Sequence, residues 1–84
     1  MKYSVIINHY NDQEFLPQAL NSLKNQTYKD WELIFVDNCS DRSPKKYLKV
    51  IENNVTFIRL KKTMSLGYAR NKGLLACQGE YIGF

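Results

Sequence analysis

Asp37 directly follows an uninterrupted apolar run and begins a polar turn, within the stretch LIFVDNCSDRSP at residues 33–44. A carboxylate at the end of a buried strand lies at the rim of the sheet. There it can accept hydrogen bonds from the N–H or O–H groups of a ligand. The same side chain can instead cap the turn by accepting hydrogen bonds from nearby backbone amides. The spacing leaves both interpretations open.

A second polar group, NHYN at residues 8–11, follows the first apolar run. It places His9 and Tyr10 on the same rim as Asp37 if the first two strands are neighbours. Tyr10 can stack on a nucleobase, because every base offers a π-face. The alternative is a half-buried tyrosine without a ligand role. His9 has no second histidine or paired carboxylate to form a metal site, so we expect no ligand role for it.

The segment LGYARNKG, residues 66–73, places Arg70 and Lys72 in the first turns of a predicted helix. The N-terminus of a helix attracts phosphate through its free amides and its dipole. An arginine there can add a two-pronged contact to a phosphate group. A surface arginine that pairs with a carboxylate such as Glu80 is the alternative interpretation.

Composition and missing motifs exclude several classes of protein. The 84 residues carry a net charge of +4 and a pI near 9.1, which suits an anionic ligand without identifying one. No dinucleotide-binding glycine motif, P-loop or serine nucleophile elbow is present. Two cysteines in no metal-binding spacing predict a reduced, cytoplasmic setting. No apolar run approaches the length of a membrane span.

These polar residues must be positioned by the elements between them. Four apolar runs begin 28, 24 and 26 residues apart, at residues 3–7, 31–36, 55–60 and 81–84. Helix-like patterns fill the gaps, a spacing typical of repeated βαβ units. We therefore predict an α/β fold of Rossmann-like βαβ units, with a mostly parallel sheet of about four strands flanked by helices.

The first helix is predicted to begin at Pro17, after a turn capped by Asn11 and Glu14. Its apolar face comprises Leu16, Leu20 and Leu23. The second helix is predicted to begin with Ser43 as N-cap and Pro44 at its first position, and to end at Asn53 and Asn54. Its inward residues are Tyr47, Leu48 and Ile51.

The third helix is predicted from about Ser65 to Cys77, with a stop at Gly79. Gly67 and Gly73 lower its helix propensity, so we expect a neighbouring element to approach closely at both. The predicted strand at residues 81–84 follows directly.

Five motifs in order connect the chain with a known family. They are SVIINHYN, QTY, ELIFVDNCS, LGYARNKG and ACQGEYIGF. Together they strongly resemble the N-terminal half of family 2 glycosyltransferases with the GT-A fold, over essentially all 84 residues. The resemblance implies that residues 1–84 form the nucleotide-sugar-binding half of such a domain, which is incomplete here.

The resemblance also implies roles for four residues. Asp37 matches the aspartate that recognises the base, and Tyr10 matches the tyrosine that packs against it. Asn8 occupies the neighbouring strand-end position in contact with the nucleotide. Arg70 matches the arginine that approaches the diphosphate. Two departures stand out: Asn8 replaces a common proline, and the pair at residues 38–39, Asn-Cys, replaces the usual Asp-Gly.

For the whole enzyme the resemblance implies inverting transfer from a nucleotide-diphosphate sugar, most simply a UDP-sugar, to a polysaccharide or lipid-linked acceptor. It implies a divalent cation, Mn²⁺ or Mg²⁺, held by an Asp-x-Asp motif that this chain lacks, as it lacks the general base. We therefore expect the 84-residue chain itself to be inactive. A non-catalytic nucleotide-binding or interaction module is the alternative function.

Three further expectations concern partners and setting. We expect no nucleic-acid binding, because no aromatic platform is interleaved with the lysines. We expect self-association or marginal stability, because the last strand would leave an uncovered edge. A cytoplasmic location is expected, with the cytoplasmic face of the membrane as a variant of it.

Overall fold

The computed structural model describes residues 3–11, 13–26, 29–51 and 54–83. Strands and helices alternate along these residues, as the spacing of the apolar runs predicted. In chain order they are β1 (Tyr3–His9), α1 (Leu16–Lys24), β2 (Trp31–Asp37), a 3-10 helix (Lys45–Val50), β3 (Asn54–Arg59), α2 (Leu66–Ala76) and β4 (Tyr81–Gly83).

The four strands form one sheet in the order β3-β2-β1-β4, and every neighbouring pair is parallel. The predicted fold class is therefore confirmed. Every residue of β2 is buried, as the uninterrupted apolar run indicated, because a central parallel strand is covered on both faces. The register pairs His9 with Asp37 and Asp37 with Arg59, so three strand-end residues lie side by side.

Each face of the sheet has its own apolar cluster. Residues from α1 and the 3-10 helix cover one face, and α2 covers the other. The first cluster comprises Leu16, Leu20, Trp31, Leu33, Phe35, Leu48 and Ile51. The second comprises Ile6, Ile34, Val36, Leu60 and Ala69. This sandwich fixes the strand ends that carry the polar residues.

The first helix agrees with its prediction except at its entry. It begins at Leu16 with Pro17 in its first turn, and Leu16 and Leu20 are buried. The predicted cap by Asn11 is wrong, because Asn11 adopts a left-handed conformation, with φ of 58°. Its side chain accepts a hydrogen bond from the backbone N–H of Asp41 instead.

The second predicted helix is a short 3-10 helix, with Pro44 rather than Ser43 in the cap position. Six residues lie between Pro44 and the extended Ile51, and such a short segment favours the tighter 3-10 turn. The predicted inward residues are correct, since Leu48 and Ile51 are buried and Tyr47 packs against them. The predicted end is wrong for Asn54, which begins β3, and Asn53 lies outside the described residues.

The third helix agrees closely with its prediction, with Ser65 as N-cap and Cys77 as C-cap. A Cβ added to Gly73 would lie 2.8 Å from a methyl carbon of Ile6, which explains the glycine. At Gly67 nothing lies within 4 Å, so the predicted close approach is wrong there. The approach is closest at Gly79, where a Cβ would lie 2.7 Å from the backbone nitrogen of Ser4.

Candidate functional site

The carboxylate of Asp37 is fully buried at the carboxyl end of β2. Its Oδ1 accepts a hydrogen bond from the hydroxyl of Ser40 at 2.6 Å and a longer one from the Ser40 backbone N–H at 3.4 Å. The turn-capping interpretation is therefore correct for one oxygen. The other oxygen, Oδ2, is buried and accepts no aligned hydrogen bond from the described residues. Because a buried carboxylate oxygen that lacks an aligned hydrogen-bond donor is costly, Oδ2 is suited to a donor supplied by a ligand.

Arg59 provides the positive charge that accompanies this carboxylate. Its Nε lies 3.1 Å from Oδ2 of Asp37, an ion-pair contact that lacks the alignment of a hydrogen bond. Its Nη2 donates to the carbonyl oxygen of Ser40 at 2.7 Å. The sequence interpretation did not include Arg59 in the site. Arg59 could have been found from the register of β2 and β3, which pairs it with Asp37.

Hydrogen bonds fasten the loop after β1 to the loop after β2. The backbone N–H of Asn11 donates to the hydroxyl of Ser40 at 2.7 Å, and that hydroxyl donates to Asp37. The backbone N–H of Asp41 donates to Oδ1 of Asn11 at 2.8 Å. Gln13 adds a bond from Nε2 to the carbonyl oxygen of Arg42 at 2.6 Å. The loop that carries Tyr10 and the loop that follows Asp37 therefore form one connected unit.

Asn8 and His9 end β1, and Tyr10 begins the loop that follows it. The ring of Tyr10 is half exposed, so a planar ligand can reach it. His9 is buried, with its ring centroid 5.5 Å from that of Phe35. Asn8 lies two residues after Ile6 and therefore on the same face of the sheet, the one that α2 covers. Its buried Oδ1 accepts no hydrogen bond from a described residue. Two acceptor atoms that lack an aligned donor among the described residues, Oδ1 of Asn8 and Oδ2 of Asp37, thus lie near neighbouring strand ends.

Asn38 connects the site to the loop that precedes α2. Its side-chain amide donates from Nδ2 to the carbonyl oxygen of Met64 at 2.8 Å, and its Oδ1 accepts from the Met64 N–H at 2.8 Å. Cys39 has φ of 61°, the left-handed region that favours glycine. The turn thus keeps the left-handed conformation that suits the glycine usual in the family, although Cys39 occupies this position.

Arg70 is exposed on α2, more than one turn after the N-cap Ser65. Because α2 follows the carboxyl end of β3, its N-terminus lies at the same edge of the sheet as Asp37. The nucleotide role of Arg70 stays a prediction, as do those of Asn8, Tyr10 and Asp37. Next to this edge lies a shallow groove whose described lining includes four cationic residues and no acidic one: Arg59, Lys61, Lys62 and Lys72.

The divalent cation expected from the resemblance finds no ligand set in the described part of the chain. Residues 3–11, 13–26, 29–51 and 54–83 bring no three His, Cys, Asp or Glu side chains together in a group that could hold a metal ion. Within the same residues, no helix has the length and apolar character required to cross a bilayer.

Several curated proteins similar to this chain are named as glycosyltransferases. The cholesterol galactosyltransferase of Borreliella burgdorferi is 37% identical over 96% of the chain, which covers 23% of that protein. The poly(ribitol-phosphate) beta-glucosyltransferase of Bacillus spizizenii is 37% identical over the whole chain, which covers 14% of that protein. The chain thus spans less than a quarter of the length of either relative.

Solved structures share the fold. The structure of S. aureus TarS in complex with UDP-GlcNAc matches 98% of this chain with a TM-score of 0.89 and 29% identity, over 25% of the TarS chain. A mannosyltransferase of Pyrobaculum calidifontis, in complex with GDP-Man and Mn²⁺, has a TM-score of 0.88 at 19% identity, over 96% of this chain and 26% of its own. The sequence profile described as glycosyl transferase family 2 matches residues 4–84, and the chain belongs to that family.

Proposed function

We propose that residues 1–84 form the nucleotide-binding half of a GT-A domain in an inverting glycosyltransferase that uses a UDP-sugar. The observation that carries this proposal is the different hydrogen bonding of the two oxygens of the Asp37 carboxylate. Ser40 donates to Oδ1, whereas Oδ2 lies at the strand end without an aligned donor from the part of the chain that the structure describes. The half-exposed ring of Tyr10 belongs to the adjoining loop.

One carboxylate oxygen that lacks an aligned donor among the described residues suits uracil. The imide edge of uracil offers one N–H donor between two carbonyl oxygens, and Oδ2 can accept that one hydrogen bond. Guanine offers two adjacent donor groups, which would engage both oxygens of a carboxylate. Because Ser40 already occupies Oδ1, the site favours the single donor. The 29% identity to a protein solved with UDP-GlcNAc supports the same choice.

In the proposed reaction, the oxygen of an acceptor hydroxyl forms a bond to the anomeric carbon while the bond from that carbon to the diphosphate breaks. The configuration inverts and UDP leaves. A carboxylate must take the proton of the hydroxyl. We place that base, the ligands of the cation and the acceptor site outside residues 1–84. Polymer and lipid acceptors named for relatives support a glycan or lipid-linked acceptor. The cytoplasmic location stays a prediction.

The test uses the full-length gene product that carries this chain. We expect calorimetric titration to show that UDP binds, and that Asp37→Ala weakens binding by about ten- to a hundredfold, the effect of losing a charge-assisted hydrogen bond. Arg70→Ala is expected to weaken UDP more than uridine, because its proposed partner is the diphosphate. Asp41→Ala is the matched control, since Asp41 is exposed in the same loop.

Two results would reject or redirect the proposal. UDP affinity that is unchanged in both Asp37→Ala and Arg70→Ala would reject the nucleotide site. UDP binding without sugar transfer to any glycan or lipid acceptor would instead favour a non-catalytic nucleotide-binding module. The configuration of the product, read by NMR from the anomeric proton, tests inversion separately.

A further inference from the structure

Arg59 is held at the site from two directions. Its Nε faces Oδ2 of Asp37 at 3.1 Å, and its Nη2 donates to the carbonyl oxygen of Ser40 at 2.7 Å. Its side chain is nevertheless 40% exposed, whereas that of Asp37 is fully buried. The guanidinium is therefore in contact both with the carboxylate and with the solvent in front of it.

We propose that Arg59 reads the nucleobase together with Asp37, an inference that rests on the proposed nucleotide site. An arginine has five N–H donors in a rigid fork and no acceptor, whereas an ionised carboxylate only accepts. Side by side they present an acceptor next to a donor. The imide edge of uracil presents a donor next to an acceptor, N3–H beside a carbonyl oxygen. Oδ2 of Asp37 receives N3–H, and Arg59 donates to the adjacent carbonyl.

The burial of Oδ2 gives Arg59 a second part in this recognition. Because Oδ2 is buried in contact with the guanidinium, a base reaches it only after the guanidinium shifts. The hydrogen bond from Nη2 to Ser40 holds one end of the fork during this shift. The remaining N–H groups then lie beside the oxygen that they have uncovered, within reach of the base carbonyl.

The experiment compares UDP with its 2-thio and 4-thio analogues, in which sulfur, a weaker acceptor, replaces one carbonyl oxygen. Calorimetric titrations use the full-length gene product as wild type, Arg59→Met and Arg59→Lys, with Lys61→Met as the control for a nearby exposed cation. We expect one thio analogue to bind wild type about tenfold more weakly than UDP. We expect Arg59→Met to lose this preference for oxygen, and Lys61→Met to keep it.

The outcomes separate this inference from the proposed function. An Arg59→Met variant that weakens UDP and both analogues equally, and still prefers oxygen, would show that Arg59 merely holds the loop. Should Arg59→Met fail to fold, Arg59→Lys decides, because it keeps a charge but loses the fork. Its oxygen preference is expected to fall, and an unchanged preference overturns the inference. A wild-type protein that binds no UDP rejects the proposed function itself.

Discussion

Ser4 donates its hydroxyl to the carboxylate of Glu32 at 2.5 Å, between directly paired positions of β1 and β2. Both side chains are buried. The same Glu32 oxygen accepts the backbone N–H of Gln78 at 2.6 Å, and the Ser4 hydroxyl accepts that of Gly79 at 2.8 Å. A buried carboxylate thus fastens the segment before β4 to the two central strands.

Removal of this carboxylate should destabilise the chain. We expect Glu32→Ala to lower the free energy of unfolding by about 2–3 kcal/mol, because Ser4 and Gln78 lose their acceptor. Urea unfolding followed by the fluorescence of Trp31, the one tryptophan of the sequence and a buried residue, measures this change. Glu80→Ala, at an exposed carboxylate close by, should change it by less than about 0.5 kcal/mol. Equal effects of the two substitutions would contradict the structural role of Glu32.

The two glycines of α2 should respond oppositely to alanine. Gly73→Ala places a methyl group 2.8 Å from Ile6 and 3.3 Å from Val36 in a packed core, so we expect a loss of about 1–3 kcal/mol. Gly67 has open space around it, and Gly67→Ala should be neutral or stabilise the helix by up to about 1 kcal/mol. The same fluorescence measurement compares them. A stabilising Gly73→Ala would mean that the core accepts the methyl group.

Asn38→Asp, which introduces the residue usual in the family, should destabilise this chain by about 1–3 kcal/mol. An ionised aspartate cannot donate to the carbonyl oxygen of Met64, and its second oxygen would face that carbonyl. Thermal unfolding measures the loss, with Asn71→Asp on the exposed face of α2 as control. An Asn38→Asp variant as stable as the wild type would show that the loop before α2 does not depend on this amide.

Burial raises the pKa of the Cys77 thiol above its ordinary value of 9.0, the charge of Glu32 raises it further, and a hydrogen bond with Ser4 opposes them. The thiolate is the form that reacts. We therefore expect slow alkylation of Cys77 near pH 8 in a Cys39→Ser background, and faster alkylation when Glu32→Gln removes the charge. Mass spectrometry follows the rate. A slower rate in Glu32→Gln would reverse the assigned sign.

The same pKa affects stability. The pKa of Cys77 is higher in the folded than in the unfolded chain. The contribution of the protonated thiol to the free energy of unfolding is therefore fully present below the unfolded-state pKa. It is lost as the pH rises through the folded-state value. We expect Cys77→Ser to reduce this alkaline loss of stability.

The sequence predicts those features of the fold that depend on apolar patterning. The uninterrupted run at residues 33–36 identified a strand covered on both faces, and Ser65 identified the start of α2. The apolar pattern could not predict a 3-10 helix at residues 45–50, because its inward residues have the same spacing as those of a short α-helix. The left-handed conformation of Asn11 was also missed, because a bond to the distant Asp41 fixes its side chain.

The candidate site shows a similar division. Asp37 and Tyr10 follow apolar runs, which marks them as strand-end residues. Arg59 could not be assigned in the same way, because its position beside Asp37 depends on the register between β2 and β3. Register arises from the packing of both faces of the sheet, which a single sequence does not specify. The predicted self-association has no counterpart in the structure of one chain and stays a prediction.

The hydrogen bonds that join the loops after β1 and β2 also bear on the order of folding. Asn11 and Ser40 are 29 residues apart in sequence, and Gly79 and Ser4 are 75 apart. Contacts of such separation form late, since the loops between them must close first. A nascent chain that has formed only β1 and α1 therefore has Tyr10 but lacks Asp37 and Ser40 beside it. At the proposed site, nucleotide binding can begin only once β2 has joined the sheet.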